Sequence, residues 1–207
     1  MSQNKTNFAV PLAFVGMMFF AIGFALGINS FLIPVLKGAL SLPSGVAYLL
    51  LAATFVPFLI FGYPASATIA KIGYKRTMAL SFLIFAVAFI LFVLSAKLEN
   101  FILFLIASFV SGAANAYLQA SVNPYITILG PIESAAKRMS IMGICNKLAW
   151  PVAPLFFALV VADQTNVQTS DLYLPFYIII GVFLLLGIIS LMAPLPEVKA
   201  AGEDESD

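Results

Sequence analysis

Long apolar runs separated by short polar breaks extend along almost the whole chain. A run needs about 20 residues, at a rise of about 1.5 Å per residue, to cross a bilayer as a helix. Measured against that length, the pattern predicts six spans, at about residues 8–35, 46–70, 77–96, 101–129, 140–162 and 172–195. The runs lack the alternation of barrel strands, and bare backbone groups are costly in hydrocarbon. The sequence therefore predicts an all-α membrane protein, with a six-helix transmembrane bundle over residues 1–195.

Composition agrees with this fold class and excludes others. Hydrophobic residues make up 62% of the chain and charged residues 9%, whereas soluble domains carry roughly 25% charged residues. A net charge of +1 without any basic run argues against nucleic acid as a partner, because such binding needs clustered Lys and Arg. The single cysteine, Cys145, lies within an apolar run, which indicates neither a disulfide framework nor a cysteine metal site.

The distribution of Lys and Arg over the loops predicts the orientation, because positively charged loops stay in the cytoplasm. One set of loops holds Lys5, Lys71, Lys75, Arg76, Lys137, Arg138 and Lys199. The opposite set holds only Lys37 and Lys97. Both termini should therefore face the cytoplasm. Residues 196–207, which are mostly charged and small, are interpreted as a charged cytoplasmic tail or as a linker between two helical halves.

The fourth span carries a stripe of polar residues at i, i+4 spacing, which places them along one slowly drifting helix face. Its members are Ser111, Asn115, Gln119 and Asn123, with Gly112, Ala116 and Ala120 beside them. Amides both donate and accept hydrogen bonds, as sugar hydroxyls require, so the stripe suits a sugar-binding wall. The alternative is a set of hydrogen bonds between helices. Pro124 directly follows the stripe and removes a backbone hydrogen bond of the helix. This proline would either form a gating hinge or give the helix a fixed kink.

The first span combines a small-residue motif with an amide. Gly23 and Gly27 form a GxxxG pair, which is typical of close helix packing in membranes. Asn29 follows two residues later. It is a candidate substrate contact, with an interhelical hydrogen bond as the alternative of equal weight.

Lys147 is the only ionisable residue within a predicted span, about a third of the way in. Intramembrane charge is costly and often functional, so Lys147 is a candidate to bind substrate or to pair with a carboxylate from elsewhere. Snorkelling toward the cytoplasmic face is the alternative. Trp150 offers an apolar face for a sugar ring, or packs between helices. No span contains Asp, Glu or His, so the sequence offers no catalytic constellation, metal cluster or cofactor motif, and an enzyme is not predicted.

Three segments resemble a known superfamily of transporters. The loop at residues 70–76, Ala-Lys-Ile-Gly-Tyr-Lys-Arg, is similar to a degraded signature between the second and third helices of major facilitator proteins, with Lys71, Gly73, Lys75 and Arg76 at the matching positions and Ala70 in place of the usual Asp. Residues 118–125, Leu-Gln-Ala-Ser-Val-Asn-Pro-Tyr, and residues 29–34, Asn-Ser-Phe-Leu-Ile-Pro, resemble the fucose permease and glucose/galactose transporter family. The resemblance covers the chain and the amino-terminal half of such a transporter.

This resemblance implies transport of a monosaccharide of the fucose, glucose or galactose type by alternating access, in which two six-helix halves rock around a central site. The candidate substrate-binding residues are Asn29, Asn115, Gln119, Asn123, Lys147 and Trp150. Proton-coupled fucose permeases carry acidic residues where this chain has Ser30 and Gln119. Ser30, Gln119 and Lys147 are therefore the coupling candidates, while another ion, facilitated diffusion or an acid supplied elsewhere remain open.

The expected partners are a monosaccharide, the lipid bilayer, and either a carboxyl-terminal half or a second copy of the chain that completes the pathway. The resemblance places the chain in the plasma membrane, as a bacterial inner-membrane protein. A non-transporting scaffold or accessory subunit, whose polar stripes only bind neighbouring helices, is the alternative function.

Overall fold

The computed structural model describes residues 9–161 and 166–193, which are helical almost throughout. The helices are α1 (Ala9–Ala39), α2 (Ser44–Ala47), α3 (Leu49–Ile60), α4 (Gly62–Lys97), α5 (Phe101–Ile128), α6 (Ala135–Val160) and α7 (Tyr173–Met192). Short 3-10 turns at Ile132–Ser134 and Thr169–Leu172 precede α6 and α7. Within the described ranges, 5 helices are long and apolar enough to cross a membrane, and residues 44–60 form a shorter apolar segment. The all-α prediction is confirmed.

The second and third predicted spans share α4, which changes direction at Gly73. There the backbone has φ 82° and ψ 169°, outside the helical region. A positive φ of this size favours glycine, which has no Cβ to clash with the backbone. A straight helix of 36 residues would be about 54 Å long, far more than the roughly 30 Å of the hydrocarbon core. The break therefore separates a segment that continues the line of α3 from a full third span, and it lies in the loop predicted at residues 71–76.

Several helix ends differ from the sequence prediction. The first span continues to Ala39, and α6 begins at Ala135 rather than at residue 140. Lys147 consequently has 12 residues before it and 13 after it within α6 (147 − 135 and 160 − 147), so it lies at the middle of the helix rather than a third of the way in. The predicted tail at 196–207, Lys5 and Lys199 lie outside the described residues.

The helices pack in pairs that relate the two halves of the bundle. Helix α1 packs mainly on α6, α3 packs on α5, and α4 packs on both α5 and α7. Counted as spans one to six, one pairs with five, two pairs with four, and three pairs with six. Exchanging the first three spans with the last three leaves these three pairs unchanged, as expected of two three-helix repeats, but within the described residues the extensive α4–α5 packing has no comparable counterpart between α1 and α7.

Glycines allow the closest approach in two of these pairs. A Cβ atom added at Gly23 would overlap the carbonyl oxygen of Asn146 in α6, and one added at Gly27 would overlap that of Trp150. A Cβ added at Gly112 in α5 would similarly overlap the carbonyl oxygen of Thr54 in α3. Small residues let membrane helices approach backbone to backbone. The close-packing interpretation of the GxxxG pair is therefore confirmed, and the same device recurs in the α3–α5 pair.

Arg138 joins the end of α5 to the start of α6. Its guanidinium donates to the carbonyl oxygens of Ile126 at 3.1 Å, Thr127 at 3.0 Å and Pro131 at 2.8 Å, and also to the Ser134 hydroxyl. The last carbonyls of a helix have no partners within it and form the negative end of its dipole. A buried Arg therefore satisfies the end of α5 and fixes the connection that orients α6.

Candidate functional site

A polar cavity lies between α1, α5 and α6. It has a volume of about 240 Å³ and is lined by Phe19, Ile22, Leu26, Gln119, Asn123, Gly143, Asn146 and Lys147. Helices α5 and α6 supply all of its polar side chains, and α1 supplies the large apolar ones. The cavity thus presents hydrogen-bonding groups on one side and hydrocarbon on the other, which is the usual character of a small-molecule site.

Helix α5 divides its polar stripe between the cavity and the helix packing. Gln119 and Asn123, one turn apart, are half-buried and line the cavity. Ser111 and Asn115, nearer the start of the stripe, are fully buried. Helix α5 continues through Pro124 to Ile128, so the cavity-lining residues stand on helical backbone.

Helix α6 contributes a cavity face that sequence reasoning identified only in part. Gly143, Asn146 and Lys147 occupy positions i, i+3 and i+4, which share one face of a helix. Only Lys147 was a predicted site residue; Asn146 and Gly143 were missed, although their spacing relative to Lys147 was the available signal. The amide nitrogen of Asn146 donates to the backbone carbonyl of Phe19 at 3.1 Å. This bond fixes the polar face of α6 against the apolar wall of α1.

Lys147 is exposed at the cavity, with its ammonium nitrogen 5.3 Å from the ring centroid of Trp150. This distance is within the range of a cation–π contact. The acidic residues of the described ranges are Glu99, Glu133 and Asp171. All three lie in the connections between the long helices, whereas Lys147 is about 18 Å along α6 from Ala135 at 1.5 Å per residue. The described part of the chain therefore places no carboxylate in the helices around this ammonium group.

Trp150 lies beside the cavity rather than on its wall. Its side chain is half-buried and packs against the apolar core, and its backbone carbonyl contacts the α1 surface at Gly27. Of the two interpretations offered by the sequence, packing between helices describes this placement. Its ring faces the Lys147 ammonium group.

Asn29 and Asn115 are fully buried and do not line the cavity. The amide nitrogen of Asn29 donates to the Ala25 carbonyl at 3.1 Å and to the Ser111 hydroxyl at 3.4 Å. This is the interhelical hydrogen bond that the sequence offered as the alternative to a substrate contact. The Asn29 oxygen, both amide atoms of Asn115 and the Ser108 hydroxyl have no partner among the described residues. Asn29 and Ser111 join α1 to α5, and Ser108 and Asn115 are further fully buried polar residues of α5.

The three coupling candidates are placed differently. Gln119 and Lys147 both line the cavity. The partly buried Ser30 lies one turn beyond the cavity-lining Leu26, and its hydroxyl donates to the Leu26 carbonyl at 3.1 Å. This bond within α1 uses the hydroxyl proton and leaves the acceptor lone pairs of the oxygen.

The signature loop surrounds the break in α4. Gly73 occupies the positive-φ position, Lys71 and Arg76 are exposed, and Lys75 is half-buried. The ring of Tyr74 lies 6.0 Å from that of Tyr125 in α5, measured between centroids. The loop is thus connected by an aromatic contact to the helix that carries the polar stripe.

A second, apolar groove lies between α1, α6 and α7. It has a volume of about 290 Å³, and its lining residues, which include Phe20, Phe24, Phe156 and Phe183, are all apolar. A surface without hydrogen-bonding side chains suits hydrocarbon rather than a hydroxylated ligand. The polar cavity between α1, α5 and α6 is therefore the candidate functional site.

Comparisons with known proteins agree with this arrangement. The family model of the Major Facilitator Superfamily matches residues 14–206. The chain is 31% identical over 209 residues to the glucose/galactose transporter of Brucella abortus, covering 99% of this chain and 50% of that protein. It is 22% identical over 223 residues to the L-fucose-proton symporter of Escherichia coli, covering 98% and 51%.

The fold is similar to that of a solved transporter. The crystal structure of FucP in the outward conformation matches with a TM-score of 0.79 and 22% identity, covering 96% of this chain and 53% of that chain. This similarity shows that the chain shares its fold with the matching part of that transporter. The chain spans about half the length of the curated relatives it matches.

Proposed function

We propose that this chain, which belongs to the Major Facilitator Superfamily, transports a monosaccharide of the fucose, glucose or galactose type as one six-helix half of a transporter. The observation that supports it is the cavity between α1, α5 and α6, which sets three amides and an ammonium group against an apolar wall. The relatives that match almost the whole chain are named for glucose, galactose and fucose. The chain itself is an integral membrane protein by family and by its apolar helices.

The cavity chemistry suits a sugar ring. Gln119, Asn123 and Asn146 offer both donors and acceptors, which hydroxyl groups need. The apolar wall that includes Phe19 and Ile22 provides a surface for the less polar faces of the ring. Asn146 already donates one N–H to the Phe19 carbonyl, so its second N–H and its amide oxygen remain for substrate.

Transport requires a second helical bundle. Alternating access needs two bundles that rock about a shared site, and residues 1–195 supply one bundle, with 196–207 as a tail or linker. A carboxyl-terminal half, or a second copy of this chain, would cover the cavity from the open side. We place the bundle in a bacterial inner membrane with both termini in the cytoplasm, because the predicted loops on that side carry most of the Lys and Arg residues.

Coupling in this half would involve Gln119 and Lys147 rather than Ser30, since only the first two line the cavity. Neither side chain is a carboxylate, and the described helices hold none, so a proton carried by a carboxylate would need a residue from another part of the completed transporter.

Uptake of radiolabelled fucose, glucose and galactose tests the proposal. Cells would express the chain alone and, in parallel, the chain joined to the carboxyl-terminal half of the Brucella relative. We expect uptake at least from the joined form, and Gln119→Ala or Asn123→Ala should reduce it about tenfold or more, because each removes hydrogen bonds to substrate. Asn166→Ala, an exposed amide outside the helices, is the matched control and should transport normally.

The same variants separate transport from a scaffold role. Fluorescence-detected size-exclusion chromatography measures the amount of folded protein in each. Loss of uptake with normal folded protein supports a substrate-binding wall. Loss of folded protein in Gln119→Ala and Asn123→Ala, with no uptake of any sugar by the unaltered forms, would instead favour the scaffold.

A further inference from the structure

We infer that the cavity recognises an acidic sugar, a hexuronate or aldonate whose carboxylate binds the Lys147 ammonium group while its hydroxyls bind the surrounding amides. The inference rests on the proposed function of the cavity as a monosaccharide site, and it changes the preferred substrate from a neutral monosaccharide to the corresponding sugar acid. It is carried by the juxtaposition of one cation, which has no carboxylate partner among the described residues, with Gln119, Asn123 and Asn146 in a single cavity.

The first step is the charge of the cavity. Lys147 lies at the middle of α6, and an ionised side chain within a membrane-spanning helix normally faces a polar cavity or pairs with another polar or charged group. The described acidic residues lie in the connections and are engaged there in two cases: Glu99 accepts from the Thr169 hydroxyl at 2.9 Å, and Asp171 accepts from the Gln168 backbone at 2.9 Å. Among the described residues, the helices around Lys147 thus supply no counter-charge, which leaves that role to a substrate or to the covering half.

The second step is the position of the ammonium group. Its nitrogen stands 5.3 Å from the Trp150 ring centroid, so the side chain lies along α6 at the cavity and is not extended toward the end of the helix. A cation–π contact stabilises the charge without using the three N–H donors of the ammonium group. Those donors stay available to a carboxylate, and a charge-assisted hydrogen bond is roughly twice as strong as a neutral one.

The third step is the chemistry of the neighbours. A simple inorganic anion would be matched by further cations or backbone N–H groups, but the other polar groups of the cavity are the three amides. Amides match hydroxyls, and the wall from Phe19 to Leu26 matches the C–H surface of a ring. One carboxylate together with several hydroxyls on a compact ring or chain is the composition of a sugar acid.

The single tryptophan of the chain gives a local readout. Trp150 is the only Trp among the 207 residues and its ring faces Lys147, so its fluorescence reports movement or neutralisation of the ammonium group. The purified chain in lipid nanodiscs would be titrated with D-galacturonate, D-glucuronate, D-galactose, D-glucose and L-fucose. Equilibrium binding of radiolabelled galacturonate and galactose gives a second readout that does not depend on fluorescence.

We expect galacturonate or glucuronate to bind at least about tenfold more tightly than the matching neutral sugar, the factor of one charge-assisted hydrogen bond. Lys147→Gln should abolish this preference, and Lys147→Arg should retain it. Lys97→Gln is the matched control: the Lys97 ammonium group also lies over aromatic rings, those of Tyr173 and Tyr177, at 5.9 and 5.8 Å, but in another part of the bundle. That variant should behave as the unaltered chain does.

Other outcomes overturn the inference in distinguishable ways. Binding of galactose, glucose or fucose without any preference for the acids leaves the proposed function standing and removes the acidic substrate, which would favour a carboxylate from the covering half as the partner of Lys147. A preference that survives Lys147→Gln places the recognition of charge elsewhere. Absence of binding by both classes, together with absence of uptake by the joined form, contradicts the proposed function as well.

Discussion

At the scale of single residues, Asn115 combines complete burial with a side chain that has no hydrogen-bond partner among the described residues. An unsatisfied buried polar group costs about 1–3 kcal/mol, whereas an apolar group of similar shape avoids that penalty. We therefore expect Asn115→Leu to raise the unfolding temperature of the chain, or to leave it unchanged. Thermal unfolding followed by fluorescence-detected size-exclusion chromatography measures this shift.

Gln119→Leu is the control for that substitution, because Gln119 is half-buried at the cavity and already reaches an open surface. It should change the unfolding temperature by less than Asn115→Leu does. A fall of several degrees in Asn115→Leu would mean that the Asn115 amide holds a partner, such as buried water, that stabilises the bundle.

For Arg138 we expect the opposite effect, a loss of stability when the side chain is replaced. It donates to three backbone carbonyls and to the Ser134 hydroxyl, and hydrogen bonds to charged groups contribute about 1.5–3 kcal/mol each. Arg138→Gln should therefore lower the free energy of unfolding by about 2–4 kcal/mol, because the carbonyl groups at the end of α5 lose their hydrogen-bond donor. Lys137→Gln removes the same charge from an exposed neighbour and should have little effect. Equal unfolding temperatures for the two variants would contradict the capping role.

The polar stripe of α5 illustrates what could be read from the sequence at this scale and what could not. Positions four apart drift by about 40° at each step, because an α-helix turns about 100° per residue. Over the three steps from Ser111 to Asn123 the drift reaches about 120°, enough to move from the α1 contact to the cavity. The amides could be predicted as a stripe, but the sequence does not contain the positions of α1 and α6 that decide which amides are buried.

At the scale of helices, the contact between α1 and α6 depends on glycine. A Cβ added at Gly23 would overlap the carbonyl of Asn146 and approach the Cβ of Ala149 at 3.1 Å, so the helices must separate to accept even a methyl group. Overpacking of this kind typically costs about 1–3 kcal/mol. We expect Gly23→Ala to lower the unfolding temperature and to weaken substrate binding, because it displaces the Asn146 side of the cavity.

Gly181 is the matched control for that prediction. It lies within α7, is exposed, and has no atom within 4 Å of a built Cβ. Gly181→Ala should stabilise α7 slightly, by up to about 1 kcal/mol, through helix propensity alone. A Gly23→Ala variant as stable as Gly181→Ala, with unchanged binding, would show that the α1–α6 contact is looser than the structure has it.

The presence of the helices could be predicted from hydrophobicity, whereas the residues at which they begin and end could not. The predicted start of the fifth span at residue 140 treated Lys137 and Arg138 as loop residues, since charged residues normally mark the end of a span. The structure includes both in α6, because Arg138 finds its acceptors at the end of α5 and in the connection that follows it rather than in water. Gly73 shows the converse: the sequence predicted a loop at 71–76, and a single glycine with positive φ accomplishes the turn.

At the scale of the whole molecule, the pairing of helices explains why the cavity lies where it does. Close glycine contacts bring α1 onto α6 and α5 onto α3, while aromatic side chains fill the α4–α7 pair, as in the stacked rings of Phe85 and Phe183 at 4.7 Å between centroids. Large aromatic rings thus fill the space between α4 and α7. Polar side chains gather where α5 meets α6 and α1, where the contacts are fewer and space remains.

The orientation of the bundle is the prediction that concerns the whole molecule most directly. The connection between α5 and α6 carries Glu133, and the one between α6 and α7 carries Ser170; both residues are exposed. Because α6 crosses the membrane once, the two sites must lie on opposite sides. From the loop charges we predict that Glu133 lies in the cytoplasm, beside Lys137 and Arg138, and that Ser170 lies outside.

Cysteine labelling measures this orientation in intact cells. The only native cysteine is first removed as Cys145→Ala, and Glu133→Cys or Ser170→Cys is then introduced singly. A membrane-impermeant maleimide should label Ser170→Cys in intact cells and label Glu133→Cys only after the membrane is permeabilised. The reverse pattern would invert the bundle and put the loops rich in Lys and Arg outside, against the positive-inside rule. Labelling of both sites before permeabilisation would mean that α6 does not span the bilayer, and the cavity that it lines with α1 and α5 could not then serve a transport pathway.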